Sequence, residues 1–124
     1  MIQIFKPSIT QREIDAVNEV LRSGWLGLGP RTAEFERAFA AFVGARHAIA
    51  TNSGTAALHL ALLCCDVGPG DEVLVPTITF VSTAHAVSYC GATPIFVDVE
   101  PDTLCIDVND ARKRVTECTK AVMP

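Results

Sequence analysis

Lysine, histidine and tryptophan are scarce in this 124-residue chain: Lys6, Lys113 and Lys120 are the only lysines, His47, His59 and His85 the only histidines, Trp25 the only tryptophan. No C-x-x-C pair occurs among the five cysteines, so a zinc knuckle or a thioredoxin-like dithiol is excluded, and the odd count favours reduced thiols. Four of the five lie in or beside apolar runs and read as buried small hydrophobes. Basic runs are also missing. The formal charge is -4, and only Arg112, Lys113 and Arg114 cluster, which suits a solvated helix face better than a nucleic-acid or anionic-membrane surface. The opening residues lack a basic segment followed by an apolar one, so secretion is not indicated and a cytoplasmic location is expected. The longest greasy window, 78–97, is broken by Ser, Thr, His, Gly and Pro and reads as helix, turn and strand rather than a membrane span. No metal-ligand set or pair of glycosidase acids is apparent; Asp98, Glu100 and Asp102 read as a strand end and turn.

What is present is apolar content, 49 % of residues, in a chain sized for one compact core. Thr10-Gln11-Arg12-Glu13 has the form of a capping box, with Ile9 and Ile14 spaced for a hydrophobic staple, so a helix should start near Gln11 and run to Ser23-Gly24. After the loop "SGWLGLGPR", Pro30 and Thr32 open a second helix with Phe35, Ala38, Phe39 and Phe42 on one face and Gly44 as its stop.

From residue 46 the rhythm becomes strand, helix, strand, helix. "HAIAT" is expected as a first strand, Gly54 to Cys65 as a helix, "EVLVP" as a second strand, and Thr79 to Tyr89 as a helix closed by Cys90-Gly91. "TPIFVDV" follows as a strand, Asp107 and Asp110 can cap a helix over Ala111 to Glu117, and "KAVMP" begins a fourth strand. Strands joined by helices imply parallel pairing through right-handed crossovers, hence a three-layer α/β/α fold with a mostly parallel sheet. Ligands in such sheets bind beyond the carboxyl ends of the strands, here Thr51-Asn52, Pro76-Thr77 and Asp98.

The chemistry concentrates in "ATNSGTAALHLALLCC". Ser53-Gly54-Thr55 offers free N–H groups at a helix start, a glycine that permits close approach and two hydroxyls, which together suit a phosphate. The same residues are also the common way to cap a helix that holds no ligand. The glycine and lysine spacing of a P-loop and the G-x-G-x-x-G of a dinucleotide site are both absent, so ATP or NAD is not indicated. His59 and His85 read as packing or locally bonded residues within helices, and Arg31 as a solvated residue at a helix start or a contact for an anionic substrate.

Read together, "SGWLGLGPRTAEFERAFAAFVGARHAIATNSGTAALHLAL", "GPGDEVLVP" and "VPTITFVSTAHAVSYCGATPIFVDVE" resemble the N-terminal part of the DegT/DnrJ/StrS sugar aminotransferases. The resemblance covers essentially the whole chain and implies the N-terminal portion of the large domain of a type I fold that uses pyridoxal phosphate (PLP). It divides the chain into a helical arm and loop, 1–45, and the strand–helix repeats of a partial cofactor-binding domain, 46–124.

It further implies that Gly54 and Thr55, with Ser53 adjacent, hold the cofactor phosphate, that Phe80 stacks on the pyridine ring, and that Gly24, Trp25 and Leu26 lie near the active site and subunit interface. Gly27 and Leu28 stand where family members often carry two threonines. The implied reaction moves an amino group, usually from glutamate, to a keto group on a nucleotide-linked hexose through pyridoxamine phosphate (PMP). It takes place in a homodimer, with neither nucleic acid nor membrane as partner. The lysine that binds PLP covalently and the aspartate that keeps the pyridine nitrogen protonated both match positions after Pro124, and Lys120 matches a strand-start residue instead. The 124 residues alone are therefore expected to be inactive. A PMP-dependent sugar dehydratase of the same family, and a truncated cofactor-binding or oligomerisation module, are the alternative readings.

Overall fold

The computed structural model describes residues 5–124, which form two compact units, the first ending at Ala50 and the second spanning Thr51–Pro124. The first contains two helices, α1 (Gln11–Ser23) and α2 (Pro30–Val43). Thr10 caps α1 with both halves of a capping box: the Thr10 amide donates to Glu13 Oε2 at 2.6 Å, and the threonine side chain accepts from the first helical turn. Gly24 and Gly44 end the two helices in the left-handed conformation (φ 72° and 71°) that only glycine adopts without strain. Among the described residues of this unit only Ala40 is buried, and the apolar face expected of α2 remains exposed at Phe35, Phe39 and Phe42.

The second unit contains α3 (Gly54–Cys64), β1 (Glu72–Pro76), α4 (Ser82–Tyr89), β2 (Thr93–Val97), α5 (Val108–Arg114) and β3 (Thr119–Val122). The three strands pair in parallel in the order β2-β1-β3, with Leu74 opposite Ile95 on one side and Val122 on the other. Parallel neighbours require crossover helices, which α4 and α5 supply. The chain leaves β1 toward one edge and then returns past it to the other, and right-handed crossovers therefore put α4 and α5 on opposite faces. Burial agrees with helices on both faces. Val73 and Val75 pack with Leu62, Val67, Ala86, Val87, Cys90 and Ala92, whereas Leu74, pointing the other way by strand alternation, is also fully buried. The unit is thus an α/β fold built on a parallel sheet.

Several expected boundaries move. Residues 47–51 form no strand: among the described residues no backbone pairs with them, and a strand is defined by its ladder. The Ala50 amide instead donates to Glu36 Oε1 at 2.8 Å. Helix α4 begins at Ser82 rather than Thr79, and α5 occupies 108–114 rather than 111–117 because Asp107, not Asp110, is its cap, accepting from the amides of Asn109 and Asp110. The reading of the cysteines as buried holds only for Cys90; Cys64, Cys65, Cys105 and Cys118 are exposed, on faces that nothing among the described residues covers. No described helix is long and apolar enough to cross a membrane.

Candidate functional site

In the second unit, α3 precedes β1 and α4 follows it, so both helices run against the strands and begin at the carboxyl end of the sheet. Ser53 is the N-cap of α3 in extended conformation, and its Oγ accepts from the Ala56 amide at 3.1 Å. The Ala57 amide is satisfied by the Ser53 carbonyl at 3.1 Å. That leaves the Gly54 and Thr55 amides without an acceptor among the described hydrogen bonds, both at the positive end of the helix dipole. A Cβ placed on Gly54 would meet no atom within 4 Å, so no packing in this chain requires a glycine there. Thr55, half-buried, pairs its Oγ1 with Ser82 Oγ at 2.7 Å, tying the start of α3 to the start of α4.

Phe80 stands between the end of β1 and the start of α4 with 76 % of its surface exposed. Its backbone is fixed although its ring is not packed. Its carbonyl accepts from the Thr83 amide at 3.0 Å, and the neighbouring Thr79 Oγ1 lies 2.9 Å from Thr83 Oγ1. The Thr77 amide continues the ladder to the Val97 carbonyl at 2.9 Å, which anchors the other end of this loop. An exposed aromatic ring on a backbone held at both ends presents a flat apolar face to a ligand.

His59 and His85 project from α3 and α4 toward Tyr89, with ring centroids 5.6 Å and 6.0 Å from the tyrosine ring. The His59 contact joins α3 to α4, and the His85 contact lies within α4. Among the described residues, no group of three or more His, Cys, Asp or Glu side chains could hold a metal ion.

The remaining candidates lie in the first unit, where Trp25, Leu26 and Arg31, but not Gly24, line one open cleft of about 440 Å³ together with Glu19, Val20, Pro30 and Thr32. The Trp25 indole N–H donates to the Leu28 carbonyl at 2.8 Å and the ring lies over Gly29, where a Cβ would sit 2.0 Å from Nε1. Arg31 is exposed and bonds two carboxylates, Glu19 Oε2 at 2.6 Å and Glu34 Oε2 at 3.1 Å. The hydrogen bond that Arg31 donates to Glu34 and the adjacent Glu19 charge push the guanidinium further above its ordinary range, so it stays charged. Gly24 ends α1 and Leu26 is exposed at the cleft. The structure thus brings Ser53, Gly54 and Thr55 to one helix start in the second unit, and within the first unit gathers Trp25, Leu26 and Arg31 at one cleft.

Sequence reasoning passed over Ser82, because placing the helix start at Thr79 put that residue inside the helix, and it passed over the Glu19 and Glu34 partners of Arg31. The i,i+3 spacing of Arg31 and Glu34 was the available signal for the second.

The family model described as the DegT/DnrJ/EryC1/StrS aminotransferase family matches residues 7–124. The chain belongs to that family. Among curated relatives it is 52 % identical over 118 residues to the spore coat polysaccharide biosynthesis protein SpsC of Bacillus subtilis, covering 95 % of this chain and 30 % of the relative. It is 45 % identical over 124 residues to the GDP-perosamine synthase of Caulobacter vibrioides, covering 99 % of this chain and 33 % of that protein. Among solved structures, the putative sugar aminotransferase Spr1654 from Streptococcus pneumoniae superposes in its PMP and PLP forms with a TM-score of 0.93 at 41 % identity, over 99 % of this chain and 31 % of that one. The chain therefore spans about a third of the length of these family members, and the α/β unit described above recurs in the solved structure.

Proposed function

We propose that these residues are the cofactor-anchoring N-terminal part of a PLP-dependent aminotransferase that passes an amino group from glutamate to the keto group of a nucleotide-linked hexose. The observation that carries this reading is the pair of acceptor-free amides at Gly54 and Thr55, beneath open space at the start of α3, in a chain that matches PLP- and PMP-bound relatives. The donor set fits a phosphate dianion: two amides at a helix N-terminus, a glycine no wider than the backbone, and the Thr55 hydroxyl beside them.

In that reading Gly54 and Thr55 bind the phosphate, and Ser53 keeps its Oγ on the Ala56 amide and holds the helix start in place. Phe80 would offer its exposed aromatic face to the pyridine ring and shield it from water. The bound cofactor supplies the electron sink that stabilises negative charge at the reacting carbon. Lys120 lies exposed on β3 and is given no proton-shuttling role in this reading. The 124 residues by themselves are expected to be inactive.

The cleft lined by Trp25, Leu26 and Arg31, with Gly24 adjacent in sequence, is the proposed substrate or subunit-interface element of a homodimer. Arg31 serves two glutamates, and in this reading it positions the loop.

The full-length protein, given glutamate and a nucleotide-linked keto hexose, is expected to form 2-oxoglutarate and the amino sugar, detected by a dehydrogenase-coupled assay and mass spectrometry. The variant Gly54→Ala is expected to keep the wild-type thermal midpoint, since the added methyl meets nothing, and to lose PLP affinity by about tenfold or more as that methyl enters the phosphate's space. Unchanged PLP affinity in a folded Gly54→Ala protein would overturn the phosphate assignment.

A further inference from the structure

The start of α4 contributes to the same site through a side chain that never reaches the ligand. Ser82 is 7 % exposed, and its Oγ has one partner among the described hydrogen bonds, Thr55 Oγ1 at 2.7 Å. Two orientations of that bond are geometrically open. If Thr55 donated, the serine's own proton would be left in a buried position without an acceptor, which is the costlier arrangement. If Ser82 donates, its proton is satisfied, the Thr55 oxygen is filled as an acceptor, and the threonine proton is left to point outward. The neighbouring Gly54 and Thr55 amides are likewise free there.

We infer that Ser82 is a positioning residue that fixes the rotor of the Thr55 hydroxyl as a donor to a phosphate monoester at the start of α3. The inference rests on the phosphate reading above and extends it to a second helix. The sequence Ser82 Oγ–H to Thr55 Oγ1–H to phosphate is a two-step donor relay in which each bond polarises the next. Ser82 thereby strengthens the hold on an anion that it does not touch. It also sets apart two kinds of ligand: a phosphorylated one gains from the relay, and its dephosphorylated counterpart does not.

The test uses the full-length protein titrated with PLP and, in parallel, with pyridoxal, which has the ring but not the phosphate. Ser82→Ala is expected to weaken PLP about threefold to tenfold, the span of a single hydrogen bond's net contribution, and to leave pyridoxal unchanged. In a Thr55→Val background the same Ser82→Ala change is expected to have no further effect on PLP, since the relay is already broken. Circular dichroism of each variant reports whether the fold is retained. Equal losses for PLP and pyridoxal, or a Ser82→Ala effect that persists in the Thr55→Val background, would show a purely structural serine and overturn the inference. If Thr55→Val weakens PLP while Ser82→Ala does not, the relay is wrong and the phosphate site stands. If Thr55→Val itself leaves PLP affinity unchanged, the phosphate reading fails and the relay falls with it.

Discussion

Gly29 and Gly54 are glycines for opposite reasons. At Gly54 a side chain would project into open space, so no contact within the described residues calls for glycine, and the proposed phosphate is the one reason offered for it. At Gly29 the requirement is internal: the backbone is extended (φ -161°), a conformation any residue adopts, but the Trp25 indole occupies the place of a Cβ, with Nε1 2.0 Å and Cδ1 2.2 Å away. Gly29→Ala must therefore expel the ring and break its 2.8 Å hydrogen bond to the Leu28 carbonyl. The expected cost is about 1 kcal/mol, the net worth of one hydrogen bond with some packing. Trp25 is the sole tryptophan, so its fluorescence reads the change directly. A shift of emission to longer wavelength is expected on Gly29→Ala; an unchanged spectrum with an unchanged thermal midpoint would show that the loop relaxes around the methyl. Cys90 shows burial acting on a single group: desolvation pushes its thiol above the ordinary range, whereas the other four cysteines are exposed.

Among the elements, α5 is tied to the end of β2 at two points: the Asp107 amide donates to the Asp98 carbonyl at 2.8 Å, and the Asp110 carboxylate makes the second link. Asp110 Oδ2 accepts from Arg114 Nε at 2.6 Å within the helix and from the Asp98 amide at 2.9 Å just past β2. The Arg114 hydrogen bond first, then the Asp98 amide, lower the Asp110 carboxyl below its ordinary value of 3.8. A depressed folded value means the unfolded chain takes up the proton first on acidification. The contribution to stability is therefore complete above about pH 4 and declines as pH falls toward and through the lowered folded value. An NMR titration is expected to place the Asp110 carboxyl below a model aspartate, and Arg114→Ala to bring it back up; a titration at the ordinary value in the wild type would remove this link.

The caps and turns of these elements were legible in the sequence because they are local chemistry: Thr10 with Glu13, the two helix-ending glycines, and the strands around "EVLVP" and "TPIFV". Features that depend on a distant partner were not. A strand at 47–51 needs a neighbouring backbone that no described residue supplies. At the start of α4, Ser82 pairs with Thr55, 27 residues away in sequence, and no local pattern shows that contact. The Ser53-Gly54-Thr55 turn was visible as a helix start able to take an anion, yet the two amides left over could be identified only once the Ser53 cap was seen to satisfy Ala56.

At the scale of the whole molecule, the decisive fact is where apolar surface remains uncovered. The first unit buries only Ala40 among its described residues, although Ile14, Val17 and Leu21 on α1 and Phe35, Phe39 and Phe42 on α2 follow helical spacing. Helices of 13 and 14 residues gain little stability from propensity alone and depend on burial of such faces. The second unit has a sounder core around Val73 and Val75, but β2 and β3 are both edge strands of a three-stranded sheet, and Phe96 and Val122 are half exposed along them. Unpaired strand edges beside exposed apolar side chains favour association. The 124-residue polypeptide expressed alone is accordingly expected to elute as oligomers or aggregates and to bind a hydrophobic dye. Its α1 and α2 amides are expected to exchange with solvent far faster than those of β1, whereas in the full-length protein the same helices gain protection. A monomer with one cooperative unfolding transition and uniform protection across both units would show instead that these surfaces need no further cover, and that the fold is sustained by what the two units bury themselves.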